Sequence, residues 1–232
     1  LAGEKREYPG VLGTGVCKLP GLNCGRTGLG EKAARDAGFD PVSVITVVDD
    51  KAHYYPGADS FIVKMIADRN TKKLLGLQCM GPGAVDKMVD IAVMAISLGA
   101  DLPSMEYLDF AYAPPFSTAI HPFAHTLNIL LNKIDGELDS MTPVEYKEGQ
   151  AKGYTVLDVS INPALEGKEY VNFTAINGEL PGHPKNEKSL LVCSKGKRGY
   201  LTQNRLKYYG YTNTKVLEGG AIFSGTDIDT EQ

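Results

Sequence analysis

Cys193 is the residue in this sequence that is best placed to do chemistry. It follows the apolar run Leu190–Val192, and a segment typical of a helix begins at about Tyr200. A cysteine between a buried strand and a helix N-terminus meets backbone N–H groups and the positive end of the helix dipole, which favour the thiolate. The intervening loop adds cations and small residues, at Ser194, Lys195, Gly196, Lys197, Arg198 and Gly199. We therefore predict a nucleophilic cysteine that can carry a terminal sulfur as a persulfide, in a loop that also binds oxyanions.

Two other patterns are too weak to predict a site. Gly28–Ala33 fits the G-x-G-x-x-A dinucleotide fingerprint, which needs a strand before it. We predict that Leu22–Gly25 is not such a strand. His121 and His125 are four residues apart, as zinc ligands on a helix are, but Pro122 lies between them and the metalloprotease glutamate is missing. We expect interface or capping histidines and no metal site.

The elements of the first half are predicted from its hydrophobic patterning. The alternating segments Phe61–Asp68 and Leu74–Met80 flank a polar turn and predict a β-hairpin, and the β-branched run Val42–Val48 predicts a further strand. Apolar residues at helical spacing predict helices over Ala84–Leu98 and about Phe123–Asp135, each followed by glycine. This half is predicted to be an α+β domain, an antiparallel sheet with helices.

A change of composition near Glu137 predicts a second domain. Thr142 and Pro143 suit the N-cap and the first turn of a new helix. The helix and strands predicted beyond them alternate, at Tyr154–Val159, Leu190–Val192, Tyr200–Tyr209 and Lys215–Leu217. Alternating strands and helices indicate a small α/β domain with a parallel sheet. We predict domains over residues 1–140 and 141–232.

Composition narrows the classes of partner. The 232 residues carry a net charge of −4 and are 43% hydrophobic, with cations spread along the chain. We therefore expect no nucleic-acid partner, and no apolar stretch approaches the roughly 20 residues that span a bilayer. The four cysteines form no dense disulfide framework, which suggests the cytoplasm. The sequence begins at Leu1, so we expect it to be part of a longer protein.

The cysteine loop also resembles a known family. Cys193–Arg198 is similar to the active-site loop of rhodanese sulfurtransferases, whereas phosphatases of related shape use a loop one residue longer. Leu157–Val159 and Leu217–Gly220 resemble the early strand and the closing turn of rhodaneses. The resemblance implies a rhodanese-like fold in which Cys193 and Arg198 act on sulfane sulfur.

Two departures from the rhodanese pattern leave a second interpretation open. Ser160 stands where the family usually has arginine, and the expected Gly-His-Ile-Pro-Gly-Ala stretch is eroded between Glu166 and Asn177. The domain could thus be a degenerate rhodanese with a structural role, in which Cys193 is an inert buried cysteine.

The first half resembles the dimerisation domain of FAD-dependent pyridine nucleotide-disulfide oxidoreductases. The similar class is that of NADH oxidases, coenzyme A-disulfide reductases and polysulfide-reducing relatives, and the resemblance covers most of residues 10–136. The segments that carry it are Gly10–Thr14, Thr27–Leu29, Ala34–Gly38, His53–Gly57 and Ala111–Ser117. With a rhodanese domain after it, the chain resembles the C-terminal part of a coenzyme A-disulfide reductase-rhodanese fusion.

This resemblance implies a reaction, cofactors and partners. The whole protein would be a homodimer that uses FAD and NAD(P)H, bound to domains outside this sequence, to reduce a disulfide, coenzyme A-disulfide, persulfide or polysulfide. Tyr112 and either Tyr54 or Tyr55 would reach the other subunit's redox cysteine, where a phenol can donate a hydrogen bond or a proton to the leaving sulfur. They could equally be interface tyrosines.

Two further expectations complete the interpretation. No family role matches Cys17, Cys24 or Cys79, which we interpret as structural, and we expect no cofactor on this chain alone. An alternative of a different class is a homodimeric sulfur carrier that works without flavin.

Overall fold

Two five-stranded sheets organise the residues that the structure describes. The structure is a computed structural model that describes residues 3, 7–172, 180–228 and 230. The first sheet is antiparallel, with strand order β1-β2-β5-β4-β3. Its strands are β1 (Gly15–Leu19), β2 (Leu22–Gly28), β3 (Pro41–Asp49), β4 (Ser60–Asp68) and β5 (Leu74–Gly81). The helices of this half are α1 (Glu31–Asp36), α2 (Val85–Ser97), α3 (Leu102–Met105) and α4 (Pro122–Ile134). The predicted antiparallel sheet with helices is confirmed.

The alternation of side chains along the central strands explains how this domain packs. Val63 and Met65 of β4 point to the same face as Leu77 of β5, and all three are fully buried. Helices α2 and α4 cover this face with Met88, Phe123 and other apolar residues, so one hydrophobic core forms between the sheet and the helices. The opposite face of the sheet is partly open.

The β1–β2 hairpin corrects one prediction. We predicted that Leu22–Gly25 is not a strand, yet it forms most of β2, which pairs with β5. Its glycines and polar residues have low β-propensity, but backbone pairing in the sheet overrides that preference. Gly25 is required by packing, because a Cβ there would lie 2.7 Å from a methyl group of Val89 in α2. Tertiary contacts therefore decide this strand.

The second sheet is parallel and has strand order β6-β10-β9-β7-β8. Its strands are β6 (Ser140–Met141), β7 (Thr155–Asp158), β8 (Glu169–Tyr170), β9 (Ser189–Val192) and β10 (Thr214–Leu217). The helices of this half are α5 (Pro143–Lys147), α6 (Lys197–Tyr208) and α7 (Gly220–Ser224). The predicted small α/β domain is confirmed, and the core strand β9 is buried at every position.

The link between the sheets lies between α4 and β6. Helix α4 packs on the first sheet, and β6 is the edge strand of the second. Thr142 then caps α5 through a capping box with Glu145, and Pro143 occupies the first turn, as predicted. A domain boundary near Ser140 stays a proposal. In the described part of the chain, every helix is too short or too polar to cross a bilayer.

Candidate functional site

Cys193 lies directly after β9, where the strand gives way to α6. Its side chain is 1% exposed, and the Gly196 amide donates a hydrogen bond of 3.2 Å to its Sγ. Gly196 is the N-cap of α6 and adopts a left-handed conformation with φ of +92°, which turns its N–H back toward the sulfur. An N–H donor and a helix N-terminus both stabilise negative charge on this sulfur.

A turn after β10 clamps the loop from the other side. The amides of Ala221 and Ile222 donate to the carbonyl oxygens of Cys193 and Ser194, each at 3.0 Å. Gly220 makes this approach possible, because a Cβ there would lie 2.0 Å from the Cys193 carbonyl oxygen. The Leu217–Gly220 turn therefore fixes the backbone that carries the thiol.

The side chain of Lys195 forms hydrogen bonds with residues of the first sheet. Its Nζ donates to Asp49 Oδ1 at 2.5 Å and to Ser60 Oγ at 2.9 Å. These residues end β3 and begin β4, so an ion pair joins the cysteine loop to the first domain. The charge of Lys195 is thus shared with a carboxylate. Of the other predicted loop residues, Lys197 is exposed, whereas Ser194 and Arg198 are half-buried and Gly199 is buried.

Glu218 makes a second connection between the domains. Its buried carboxylate accepts hydrogen bonds from the Ile45 amide at 2.8 Å, from Ser140 Oγ at 2.6 Å and from Lys133 Nζ at 2.5 Å. It stands two residues before Gly220, where the turn approaches the cysteine loop. Sequence reasoning missed this role, although a charged residue at the end of an apolar strand could have been the signal.

A cavity of about 580 Å³ lies between the domains, beside the cysteine loop. Its lining includes the cysteine-loop residues 195–197 and the α4 residues His125 and Asn128. Burial lowers the pKa of His125 below its ordinary value, the Lys197 ammonium lowers it further, and the Asp49 carboxylate opposes both effects. Within the described residues, Asn128 Oδ1 has no hydrogen-bond partner. The cavity therefore offers polar groups to a small ligand.

The segment after β7 lies next to the cysteine loop. Asp158 is fully buried, and its carboxylate accepts from the amides of Ser160 and Leu165, each at 3.0 Å. The Val159 amide donates to the Val192 carbonyl, which aligns this segment with the end of β9. Ser160, the residue that replaces the usual arginine, is buried, and its Oγ finds no partner in the described ranges. Part of the eroded stretch, residues 173–179, lies outside the described residues.

Two protein-family models match successive parts of the chain. Residues 16–124 match the family model of the pyridine nucleotide-disulphide oxidoreductase dimerisation domain, and residues 126–221 match the rhodanese-like domain. The chain combines these two domains. The rhodanese-like domain carries Cys193 and its loop, and the dimerisation domain carries Asp49 and Ser60.

Two curated relatives are each similar to a little over half of the chain. The "NAD(P)H sulfur oxidoreductase (CoA-dependent)" of Pyrococcus furiosus is 35% identical over 130 residues, which are 56% of this chain and 29% of that protein. The "Coenzyme A disulfide reductase" of Staphylococcus haemolyticus is 31% identical over 123 residues, which are 53% of this chain and 27% of that protein. The chain thus spans less than a third of the curated relatives that it matches.

Two solved structures resemble both domains. A NAD-dependent persulfide reductase from A. fulgidus superposes with a TM-score of 0.85 at 31% identity, over 95% of this chain and 40% of that one. The reduced CoADR-RHD of Bacillus anthracis also gives 0.85, at 28% identity, over 94% of this chain and 40% of that one. Dimerisation and rhodanese-like domains are therefore joined in these proteins as they are here.

The predicted tyrosines lie in two connected loops of the dimerisation domain, which we call the tyrosine loops, residues 50–59 and 106–121. Tyr54, Tyr55 and Tyr112 are all exposed, and the Ala52 amide donates to the Pro114 carbonyl at 3.4 Å, which joins the loops. Asp49 and Ser60, the partners of Lys195, flank the first tyrosine loop. The structure thus brings Tyr54, Tyr55 and Tyr112 onto adjoining loops and links one of these loops to the cysteine loop.

The dinucleotide fingerprint proves to be part of the dimerisation fold. A strand does precede Gly28–Ala33, but β2 and β3 run in opposite directions within an antiparallel sheet, and α1 has six residues. A dinucleotide site requires a parallel βαβ unit. Gly28 instead meets β5, because a Cβ there would lie 2.2 Å from the Leu75 carbonyl oxygen. The described residues of this segment therefore do not fit FAD or NAD(P)H.

His121 is a capping histidine, as predicted. Its Nδ1 accepts from the Phe123 amide at the start of α4, and its ring stacks on Phe110 with centroids 4.6 Å apart. Burial and the Lys87 charge lower its pKa to about 4, so the ring is neutral at pH 7. The described ranges contain no group of three or more His, Cys, Asp or Glu side chains that could hold a metal ion.

Proposed function

We propose that this chain is the C-terminal part of a flavoprotein that reduces a disulfide, coenzyme A-disulfide, persulfide or polysulfide with NAD(P)H. In this protein Cys193 binds or relays sulfane sulfur. The observation that carries the proposal is the position of Cys193 between β9 and α6, where its Sγ accepts a hydrogen bond from Gly196. The same loop is fastened to a dimerisation domain through Lys195 and Asp49.

The names of the relatives support the proposed reaction. They include a sulfur oxidoreductase, a coenzyme A disulfide reductase and a persulfide reductase. These proteins are much longer than this chain, so FAD and NAD(P)H are assigned to parts of the whole protein outside the described residues. The flavin would supply the electrons that reduce the sulfur substrate.

The step assigned to Cys193 is transfer of a terminal sulfur. Its thiolate attacks the outer sulfur of a persulfide R–S–SH, which forms Cys193–S–SH and releases the thiolate R–S⁻. The Gly196 amide and the N-terminus of α6 stabilise the charged sulfur before and after the transfer. Arg198 and Lys197 lie in the first turn of α6 and would attract anionic substrates.

We also propose that the protein is a homodimer and acts in the cytoplasm. The dimerisation-domain family supports self-association. Tyr112 and either Tyr54 or Tyr55 would reach the other subunit's redox site, and their exposure on adjoining loops supports this role. The four cysteines lie in described residues and are free thiols, which suits a reducing compartment.

Isolation of the protein from its native source is the first test. A product much longer than 232 residues with a flavin absorption band is expected. NAD(P)H oxidation by this product is then measured with coenzyme A disulfide and with polysulfide, for wild type and Cys193→Ser. The relay role predicts loss of the polysulfide reaction. A flavin-free product of this size would overturn the oxidoreductase proposal and leave the carrier that works without flavin.

A degenerate rhodanese domain with a structural role is the second candidate. Two observations favour it: Ser160, in the segment next to the cysteine loop, stands in place of arginine, and Asp49 pairs with the Lys195 ammonium. Each leaves one free cation fewer near Cys193. This candidate predicts that Cys193→Ser leaves both reactions of the full protein unchanged. Incubation of the chain with polysulfide, followed by intact mass analysis, would detect whether Cys193 gains a sulfur atom.

A further inference from the structure

The β1–β2 hairpin sets two cysteines directly opposite each other. Cys17 of β1 pairs with Cys24 of β2 in the antiparallel register, and both are free thiols. Directly opposed residues in such a pair have Cα atoms about 4.5–5.5 Å apart. A disulfide bridges Cα separations of about 4.4–6.8 Å. The expected Cα separation of Cys17 and Cys24 therefore lies within the range that a disulfide can bridge.

Both thiols face the open side of the first sheet. Gly25 faces α2, so the alternation of the strand directs its neighbour Cys24 to the opposite side. A cavity of about 630 Å³ lies on that side. Its lining includes both cysteines, the cations Arg26 and Lys64, and apolar residues such as Met80. The apolar part of this lining can receive the organic group of a sulfur compound.

The two thiols differ in exposure. Cys17 is exposed, whereas Cys24 is half-buried. Burial, charge repulsion from Cys17 and a hydrogen bond between the two thiols raise the pKa of Cys24. Because Cys17 is the more exposed thiol, it is the one that an incoming disulfide meets first.

We propose that Cys17 and Cys24 form a redox-active dithiol that reduces low-molecular-weight disulfides and closes to a cross-strand disulfide. The Cys17 thiolate attacks one sulfur of R–S–S–R, forms a mixed disulfide and releases R–S⁻. Cys24 then gives its proton to solvent and attacks the Cys17 sulfur, which closes the Cys17–Cys24 bond and releases the second R–S⁻. The protein loses two electrons and the substrate gains them. This dithiol is separate from Cys193.

Cys79 provides an internal control. It lies on β5 opposite Gly25, on the buried side of the sheet, and belongs to the core beneath α2. Burial, followed by the charge of Cys24, raises the pKa of Cys79 to about 12. Its thiol is therefore expected to stay protonated and unreactive in the folded protein.

The test uses the chain in a Cys193→Ser background, so that the loop cysteine does not react. The protein is equilibrated with graded ratios of oxidised to reduced glutathione, trapped with N-ethylmaleimide and analysed by intact and peptide mass. Compared with the reduced and fully labelled protein, the expected product lacks two maleimide labels and has lost two thiol hydrogens. Its digest contains a disulfide-linked peptide pair with Cys17 and Cys24. Cys24→Ser should instead accumulate glutathione on Cys17, and Cys79→Ala should behave like the background.

Two results would overturn the proposal. In one, Cys17 and Cys24 both take up maleimide after full oxidation of the glutathione. In the other, the background protein retains glutathione on Cys17 as Cys24→Ser does, which would make Cys17 an ordinary exposed thiol. Circular dichroism of each variant establishes that the fold is retained, and serine at the partly exposed position of Cys24 is expected to preserve it.

Discussion

The cysteine loop and the tyrosine loops are held in place by different means. Cys193 is buried, and its sulfur, the carbonyls of Cys193 and Ser194, and the Lys195 ammonium all have fixed partners. The tyrosine loops are anchored at their ends, through Asp50 with Asp59 and through His121 at α4, while Tyr54 and Tyr112 remain exposed. The first arrangement suits a nucleophile that must be aimed. The second suits side chains that contact another surface.

Removal of the Glu218 carboxylate should have the largest effect on the stability of the region around the cysteine loop. Glu218→Ala leaves Lys133 and the Ile45 amide without their buried partner, and breaking such a pair costs about 3–5 kcal/mol. We expect a corresponding fall in the free energy of unfolding in urea and loss of sulfur loading on Cys193. Asp36→Ala, which breaks an exposed pair with Lys32, is the control. Equal losses in the two variants would contradict the role of Glu218.

A methyl group at Gly220 should displace the cysteine loop itself. Gly220→Ala combines a left-handed backbone with a contact of 2.0 Å to the Cys193 carbonyl, and we expect a loss of about 2–4 kcal/mol. Gly38→Ala is the control, because Gly38 also has a positive φ, of +88°, but open space around it. Thermal unfolding measures both. If both variants lost the same stability, strain in the backbone rather than the clamp would be responsible.

Acid pH should lower the free energy of unfolding through His121, which anchors the second tyrosine loop at α4. The pKa of His121 is about 4 in the folded protein and about 6.5 when unfolded, so below pH 6.5 the unfolded state binds a proton that the native state does not. Stability from neutral His121 is present above about pH 6.5 and is lost as the pH falls towards 4, by up to about 3 kcal/mol. Urea unfolding at several pH values measures it.

His121→Asn is the control for this pH dependence. Asparagine is a good N-cap but does not titrate in this range, so the variant should lose less stability than wild type between about pH 7 and pH 4.5. An identical pH dependence in the two proteins would mean that other groups account for the loss.

The ion pair between Lys195 and Asp49 joins the cysteine loop to the first tyrosine loop, and its loss should change the free energy of unfolding only slightly. Its partners are about one third exposed, so Lys195→Met should change stability by about 0–1 kcal/mol. Because Asp49 and Ser60 flank the first tyrosine loop, amide hydrogen exchange in residues 50–59 should become faster. Lys197→Met, a change at an exposed neighbour, should leave that exchange unaltered. Unchanged exchange in Lys195→Met would argue that the regions are independent.

The tyrosine hydroxyls should contribute least to stability. Tyr54→Phe and Tyr112→Phe remove exposed groups, so we expect changes within about 0.5 kcal/mol. If these phenols assist at the partner's redox site, the full protein should nevertheless turn over disulfide more slowly. Tyr107→Phe, at another exposed tyrosine of the same region, is the control. Full activity in both test variants would favour interface tyrosines without a chemical role.

Local sequence patterns determined the regular elements with strong periodicity. Strands β3, β4 and β5 and helices α2 and α4 were predicted to within a few residues, because each repeats apolar side chains at the spacing of its own structure. The short apolar run before Cys193 was also sufficient to predict β9. The β1–β2 hairpin was missed, because pairing with β5 and the fit of Gly25 against α2 are contacts between distant segments.

In the candidate site, too, some features follow from the local sequence and others from contacts between distant segments. By itself, the sequence determined that Cys193 stands between a buried strand and a helix, since strand, glycine loop and helix are consecutive in the chain. Only the tertiary structure decided that Lys195 pairs with Asp49 and that Glu218 accepts a hydrogen bond from the Ile45 amide. The same holds for the pairing of Cys17 with Cys24. The physical reason is that a side chain's partner depends on how sheets and domains pack, and composition or spacing along one strand does not encode that geometry.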